Sequence, residues 1–451
     1  MSDLVSALRR VVPEMCLVSP STPEYEQARL IYNRMHDIRP AALVRSLDPS
    51  VLHSATKTAT SLGVPIAVRS GGHHIGGFST VEDGLVLDFS PFRNVVFDPE
   101  SGLVQVRPGA RLGDLDTVLA AHGRCVPTGT VSDTGITGLT LGGGIGWLVA
   151  GYGLTCDHLH SAEVLLADGR VVEVSRQAHA DLFTALRGGG VGAFGVVLKL
   201  CFHTVPLPRI KAGSVRYPLS DATRVLGALQ KLLAEDTPET VTLAPVLDFR
   251  GSTPGLSVDV CCHSDDERDL DRIRTMLGGD WSDVYDRHYP QWQSILDRSF
   301  QPPMRGYWKS VHFDRLDIDP ELLAEAIRGA PDNRCSILVE YYNVETLRAH
   351  AEGSAFPLRD SRMGVLFSAR WPDPAHDDVH MHWARKWSMR IGGGAGAYSN
   401  YSQDTEHQVR SSFAPETLAS FRALEAAYDP DRLFAKGHRA ALGDSATVDR
   451  G

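Results

Sequence analysis

Apolar positions in the first half of the chain follow two periods. Ala41 to Arg45 and Pro65 to Arg69 are apolar runs of strand length. Between them Val51, Leu52, Ala55 and Leu62 fall near one face of a helix over Pro49 to Leu62. That order predicts a βαβ unit ending at Arg69. Two strands follow, Gly84 to Asp88 and Asn94 to Asp98, and a Pro-Glu-Ser-Gly turn returns the chain into Leu103 to Arg107. A helix is expected over Leu112 to Ala121. A hairpin pairs Ala162 to Leu166 with Val171 to Val174 around Ala167-Asp168-Gly169. A helical run, Ala180 to Arg187, then precedes a strand, Val196 to Leu200.

Pro206 and Pro208 mark a boundary. From there to about Trp371, strand-like runs (Thr240 to Leu247, Leu256 to Cys262, Ile337 to Tyr342, Gly364 to Ala369) alternate with helical ones such as Ala222 to Ala234. A mainly antiparallel sheet backed by helices is the simplest architecture. The end of the chain holds a loop, Gly392 to Tyr401, and a helix, Pro415 to Ala427, that stops before Asp429-Pro430. The fold class expected is α+β, divided as 1–205, 206–390 and 391–451. A length of 451 residues accords with two or three subdomains.

Composition narrows the function classes. A net charge of −10, with no basic stripe, argues against nucleic acid as a partner. The seven cysteines (Cys16, Cys125, Cys156, Cys201, Cys261, Cys262, Cys335) include no C-x-x-C pair, and an odd count fits a reduced protein. No run of 18 apolar residues appears, and Met1 to Arg10 lacks a signal-peptide core, so no membrane association and a cytoplasmic location are expected. His380 and His382 diverge around a predicted helix, so no metal site is expected.

Two glycine-rich stretches carry the chemistry. Arg69-Ser70-Gly71-Gly72-His73-His74-Ile75-Gly76-Gly77 sits where a strand ends, and its paired glycines let the backbone approach a ligand closely. It is either a tight turn with two exposed histidines or a loop presenting them. Thr128 to Gly135, with Thr130, Ser132, Asp133 and Thr134, leads into Gly138, Gly142, Gly143, Gly144, Gly146 and Trp147. Consecutive glycines expose backbone N–H groups suited to a diphosphate; close helix–sheet packing is the alternative. A G-x-G-x-x-G at Gly190, Gly192 and Gly195 follows a helix and precedes a strand, the reverse of the dinucleotide fingerprint. It reads as a turn that packs against a cofactor from another direction.

Together these motifs resemble the flavin-linked oxidases of the vanillyl-alcohol-oxidase superfamily, in the berberine-bridge-like and 6-hydroxynicotine-oxidase branch. The resemblance extends through Tyr152 to Asp157, Asp181-Leu-Phe183 to Gly195, the Asn400-Tyr401 pair and Tyr428-Asp-Pro430 to Phe434. It implies a two-part FAD-binding domain of the PCMH type, with a substrate domain of antiparallel sheet between the parts. It implies FAD contacts from Arg69, Ser70, Gly71, Gly72, His73, His74 and Gly77, from the second glycine stretch, from Val196 and from Asn400. It assigns the covalent 8α bond to His73. The segment in which many relatives carry a second, cysteinyl bond reads Gly129-Thr130-Val131-Ser132, so one covalent link is expected. Relatives show an asparagine-containing segment where this chain has Ala435-Lys436-Gly437-His438.

The resemblance places a tyrosine in the Asn-Tyr pair facing the flavin, which makes Tyr401 a candidate base; a tyrosine packed at a domain seam is the alternative. Glu340 is the second candidate. It shares a strand face with Leu338 and Tyr342, and an acid on an apolar strand is costly to bury unpaired. Relatives in the nicotine branch match the acid but carry a lysine where Leu338 stands. Trp308, Lys309 and Tyr342 are candidate substrate contacts, with strand packing an equal alternative for Trp308-Lys309. The expected activity is an FAD-dependent oxidase. It takes a hydride from a small hydroxylated or amine-bearing metabolite and passes electrons to O2 to give H2O2, and the arginine-rich composition with a single covalent link suggests a bacterial enzyme of secondary metabolism. Two alternatives are oxidation of a reduced quinone-like natural product as a resistance activity, and flavin-carrying drug binding without turnover.

Overall fold

The computed structural model describes residues 2–190, 192–301, 304–403 and 411–434. Ala435 to His438 lie outside them. The first sheet orders its strands as Leu17–Val18, Ala42–Val44, Leu85–Asp88 and Ile66–Arg69. The helix Pro49–Ser61 starts where the Asp48 side chain accepts the Ser50 N–H and Pro49 opens the first turn. It buries Leu52, Ala55 and Ala59 against this sheet. The expected βαβ unit is split: Leu85–Asp88 lies between Ala42–Val44 and Ile66–Arg69, parallel to both. Sequence neighbours therefore are not sheet neighbours, and the histidine loop leaves an edge strand.

The next predicted strand belongs elsewhere. Val95–Asp98 opens a five-stranded antiparallel sheet, followed in space by Leu103–Val106, Val196–His203, Leu159–Leu165 and Val171–Ser175. The third sheet has seven antiparallel strands, ordered Tyr285–Arg287, Ile210–Pro218, Thr253–Cys262, Val241–Arg250, Ser336–Tyr341, Met363–Trp371 and Arg305–Phe313. Three of these strands, Ile210–Pro218, Tyr285–Arg287 and Arg305–Phe313, fall outside the strand-like runs expected from the sequence. Arg305–Phe313 includes Gly306, Lys309, Ser310 and His312, all buried by contacts from distant segments.

One face of the large sheet packs on the helices Ala222–Glu235, Pro320–Arg328 and Asp377–Arg390, through Leu226, Leu229, Ile327, Trp383 and Trp387. Each such side chain contributes roughly 1.5–3 kcal/mol by leaving water. Trp308, Leu338 and Leu366 belong to a separate cluster with Tyr32 and Ile75. Leu338 stays half-exposed although its strand has neighbours on both sides. No helix among the described residues is long and apolar enough to cross a membrane. All seven cysteines are unpaired.

Candidate active site

A long cavity is walled by the histidine loop, by residues 129–142, by the Gly190–Gly195 turn and by Tyr398 to Tyr401, with Trp308 at its side. The two glycine stretches meet there. A Cβ at Gly71 would lie 2.5 Å from the Gly135 nitrogen, so only glycine allows the loops to approach this closely. The expected glycine nest is in fact mostly a short helix, Ile136–Gly142, because Thr140 and the apolar Ile136 anchor a helical turn in the core. Gly138 and Gly142 line the cavity, as do Ser70, Gly72, Thr130 and Thr134.

Other predicted contacts sit outside the lining and have structural partners. Gly143 packs beneath Phe356, and Gly144 and Gly146 leave no room for a Cβ beside Thr155 and the Thr128 carbonyl. Arg69 pairs with the buried Asp88 at 2.7 Å. Gly77, at φ +69°, lies against His36. Asp297 accepts the Ser132 N–H at 2.9 Å and its hydroxyl, and Asp133 pairs with Arg111. Val196 points into the neighbouring core while Val197, on the opposite strand face, reaches the cavity.

The two adjacent histidines are held differently. His74 stacks on Phe78 with ring centroids 4.4 Å apart. Its Nδ1 accepts the Gly76 N–H at 3.0 Å and its Nε2 donates to the Ser399 carbonyl at 3.1 Å, so both nitrogens are engaged. His73 stacks on Tyr32 at 3.9 Å, and its Nε2 is buried with no hydrogen-bond partner. Burial, with a smaller contribution from the Arg111 charge, pushes its pKa down to about 4. His73 is therefore a neutral imidazole with a free ring nitrogen at the cavity wall.

Where Tyr398 to Tyr401 wall the cavity, two phenols converge on one acid. The Tyr342 hydroxyl donates to Glu340 Oε2 at 2.9 Å, and the Tyr401 hydroxyl donates to Oε1 at 3.4 Å. Burial pushes the Glu340 carboxyl up to about 7, although both hydrogen bonds favour its charged form. Burial first, and the nearby Glu340 charge second, raise Tyr401 and Tyr342 well above the ordinary tyrosine value. Tyr401 lines the cavity; Glu340 and Tyr342 stand behind it. Asn400 donates to the Leu139 carbonyl at 3.1 Å and to the Tyr398 hydroxyl at 2.9 Å, which fixes this loop on the glycine helix. Lys309 also lies off the cavity, its Nζ donating to the Gln403 carbonyl at 3.3 Å.

The FAD binding domain family matches residues 40–175, the stretch that holds both glycine segments. The FAD-linked oxidoreductase YgaK of Bacillus subtilis is 34% identical over 434 residues, spanning 93% of this chain and 95% of that protein. The chain belongs to the FAD-linked oxidoreductases. Another relative of this oxidoreductase is (R)-6-hydroxynicotine oxidase of Paenarthrobacter nicotinovorans, 29% identical over 93% of the chain and 94% of the relative. The oxidoreductase also shares its fold with xylooligosaccharide oxidase of Myceliophthora thermophila, with a TM-score of 0.84 over 97% of the chain and 98% of that structure at 24% identity. Its cavity fits FAD: two glycine loops close enough to exclude side chains bound it, and a buried, unpartnered imidazole nitrogen stands in its wall.

The two histidines differ in their surroundings: both His74 nitrogens are engaged, whereas His73 Nε2 is not. Tyr398, whose hydroxyl accepts the Gly144 N–H at 2.8 Å, carried no motif of its own and went unanticipated.

Proposed function

We propose that the protein is an oxidase whose FAD is carried covalently by His73 alone. The support is the contrast in the histidine loop, where His73 Nε2 is unpartnered and neutral while both His74 nitrogens are engaged. The described cysteines nearest the second glycine stretch, Cys125 and Cys156, are buried away from the cavity, and burial pushes the Cys125 thiol up to about 12. A bound FAD would supply the hydride acceptor, with O2 as the final acceptor of the electron pair and of the proton first taken by the protein, giving H2O2.

The protein's own part is the proton. Glu340, ionised above about pH 7, is the base, and Tyr401 connects it to the cavity. A substrate O–H or N–H gives its proton to Tyr401 Oη as the phenolic proton passes to Glu340 Oε1. Tyr401 ends as it began, and Glu340 ends protonated. Tyr401 alone is a poor base because its phenol is held neutral by burial and by the adjacent carboxylate.

The substrate is a small hydroxylated or amine-bearing metabolite in this reading, with a role in secondary metabolism and a cytoplasmic setting. Beside Tyr401 the cavity is lined by the Trp308 ring, 6.2 Å away between centroids and backed by Leu338 and Leu366, which supports a ring-bearing compound with few polar groups. Screening such compounds for anaerobic bleaching of the yellow protein, then for peroxide on admitting air, tests the assignment. Bleaching followed by stoichiometric peroxide supports it. Bleaching without peroxide contradicts O2 as acceptor, and tight binding without bleaching favours the non-catalytic carrier.

A further inference from the structure

Residues 30–36, an irregular stretch that matches none of the glycine motifs, run between the histidine loop and the large sheet. Asn33 is fully buried there and uses its whole hydrogen-bonding capacity. Its Nδ2 donates to the Ile75 carbonyl at 2.7 Å and to the Gly306 carbonyl at 2.8 Å. Its Oδ1 accepts the Gly306 N–H at 2.9 Å and the Met35 N–H at 3.1 Å. One side chain thus ties the loop that carries His73 to the start of the Arg305–Phe313 strand, which carries Trp308.

Neighbouring contacts act on the same two parts. The Tyr32 N–H donates to the Gly72 carbonyl at 3.0 Å, and the Tyr32 ring lies on the His73 imidazole at 20° to its plane. His36 Nε2 donates to the Ile75 carbonyl at 2.9 Å. On the sheet side, the Arg34 N–H donates to the Met304 carbonyl at 3.0 Å, and Arg305 donates to the Arg34 carbonyl at 3.1 Å. Gly306 takes part through its missing side chain, since a Cβ there would lie 2.9 Å from Ile75 Cδ1. The imidazole of His73 is held by stacking and by its backbone, because its Nε2 has no hydrogen bond to orient it.

We propose that Tyr32 and Asn33 are positioning residues for flavin attachment: Asn33 fixes the backbone of the His73 loop against the substrate sheet, and the Tyr32 ring sets the plane of the imidazole. The proposal rests on His73 being the tether. It follows from geometry in which no other side chain among the hydrogen bonds described contacts both the Ile75 carbonyl and Gly306, and in which the ring facing His73 belongs to the residue just before Asn33.

The test compares wild type with Asn33→Asp, Tyr32→Ala and Tyr32→Phe, each purified as the full chain with FAD. Asn33→Asp keeps the shape and removes both N–H donors, whereas Tyr32→Phe keeps the stacked ring. The readout is the fraction of flavin retained by the polypeptide after acid precipitation, relative to total flavin, with circular dichroism and gel filtration as folding controls. Asn33→Asp, which takes a donor from the Ile75 and Gly306 carbonyls, should lower the covalent fraction about ten-fold, and Tyr32→Ala, which removes the stacked ring, about three-fold. Tyr32→Phe should match wild type. A folded Tyr32→Ala or Asn33→Asp protein with a wild-type covalent fraction overturns the proposal. If Asn33→Asp fails to fold, the Tyr32→Ala and Tyr32→Phe pair decides. His73→Ala is the separate control: covalent flavin persisting there contradicts the tether itself, while its loss alongside unaffected Tyr32 and Asn33 variants contradicts only the positioning roles.

Discussion

Two parts of the site bury titratable groups in opposite ways. In the histidine loop, His73 loses water and gains no hydrogen bond at Nε2, so burial pushes its pKa down to about 4. Beside Tyr401, Glu340 loses water but gains two phenolic donors, and its pKa stops at about 7. Desolvation opposes charge in both cases. The histidine is held neutral down to about pH 4, which suits the proposed single attachment of the flavin. The acid stays poised near neutrality, which suits a base that must cycle on every turnover.

Glu340→Gln should break the second half of this comparison most severely. Loss of the base should lower the rate of flavin reduction by about 10³-fold, measured by anaerobic stopped flow. Stability should change the other way. Relative to the ordinary value of 4.5, the raised folded pKa means that ionising the buried carboxyl destabilises the fold. That penalty is absent below about pH 4.5, grows as pH rises and is complete above about 7. Glu340→Gln should therefore stabilise the protein by about 3 kcal/mol at pH 8 and by little at pH 4, as measured by urea unfolding.

Tyr401→Phe should cost less, about 10²-fold in flavin reduction, because the base survives without its connection to the cavity. An equal loss in both variants would mean that they act as one unit. Tyr342→Phe should have the smallest effect. In wild type the rate of flavin reduction should rise through a midpoint near pH 7 as Glu340 ionises. Removing the Tyr342 donor takes away a hydrogen bond that favours the charged carboxylate, so the midpoint should move to higher pH with the plateau preserved. A downward shift would contradict the assigned network.

These features were unequally legible in the sequence. Helices with an apolar face, such as Ala222–Glu235, and strands bounded by glycine or proline were visible because their signals are local. The strand Arg305–Phe313 was not, since Lys309, Ser310 and His312 are buried by segments nearly a hundred residues away in Tyr398 and Gln403. Glycine content marked the cofactor segments but could not tell a backbone nest from a helix packed under Asn400, which is what Gly142 belongs to. Glu340 and Tyr401 were each visible alone. Their contact spans 61 positions, so their division of labour is a property of the fold. Tyr32 and Asn33 stand in irregular chain, where one aromatic and one amide carry no period to read.

The tether is the claim on which the comparison between the two parts depends, and peptide mapping tests it most directly. Purified protein would be acid-precipitated, digested and analysed by mass spectrometry for a yellow peptide spanning Ser70 to Gly77. The account predicts FAD mass on that peptide, localised by fragmentation to His73 and absent from the His73→Ala protein. Flavin released into the acid supernatant, or found on His74, would contradict it.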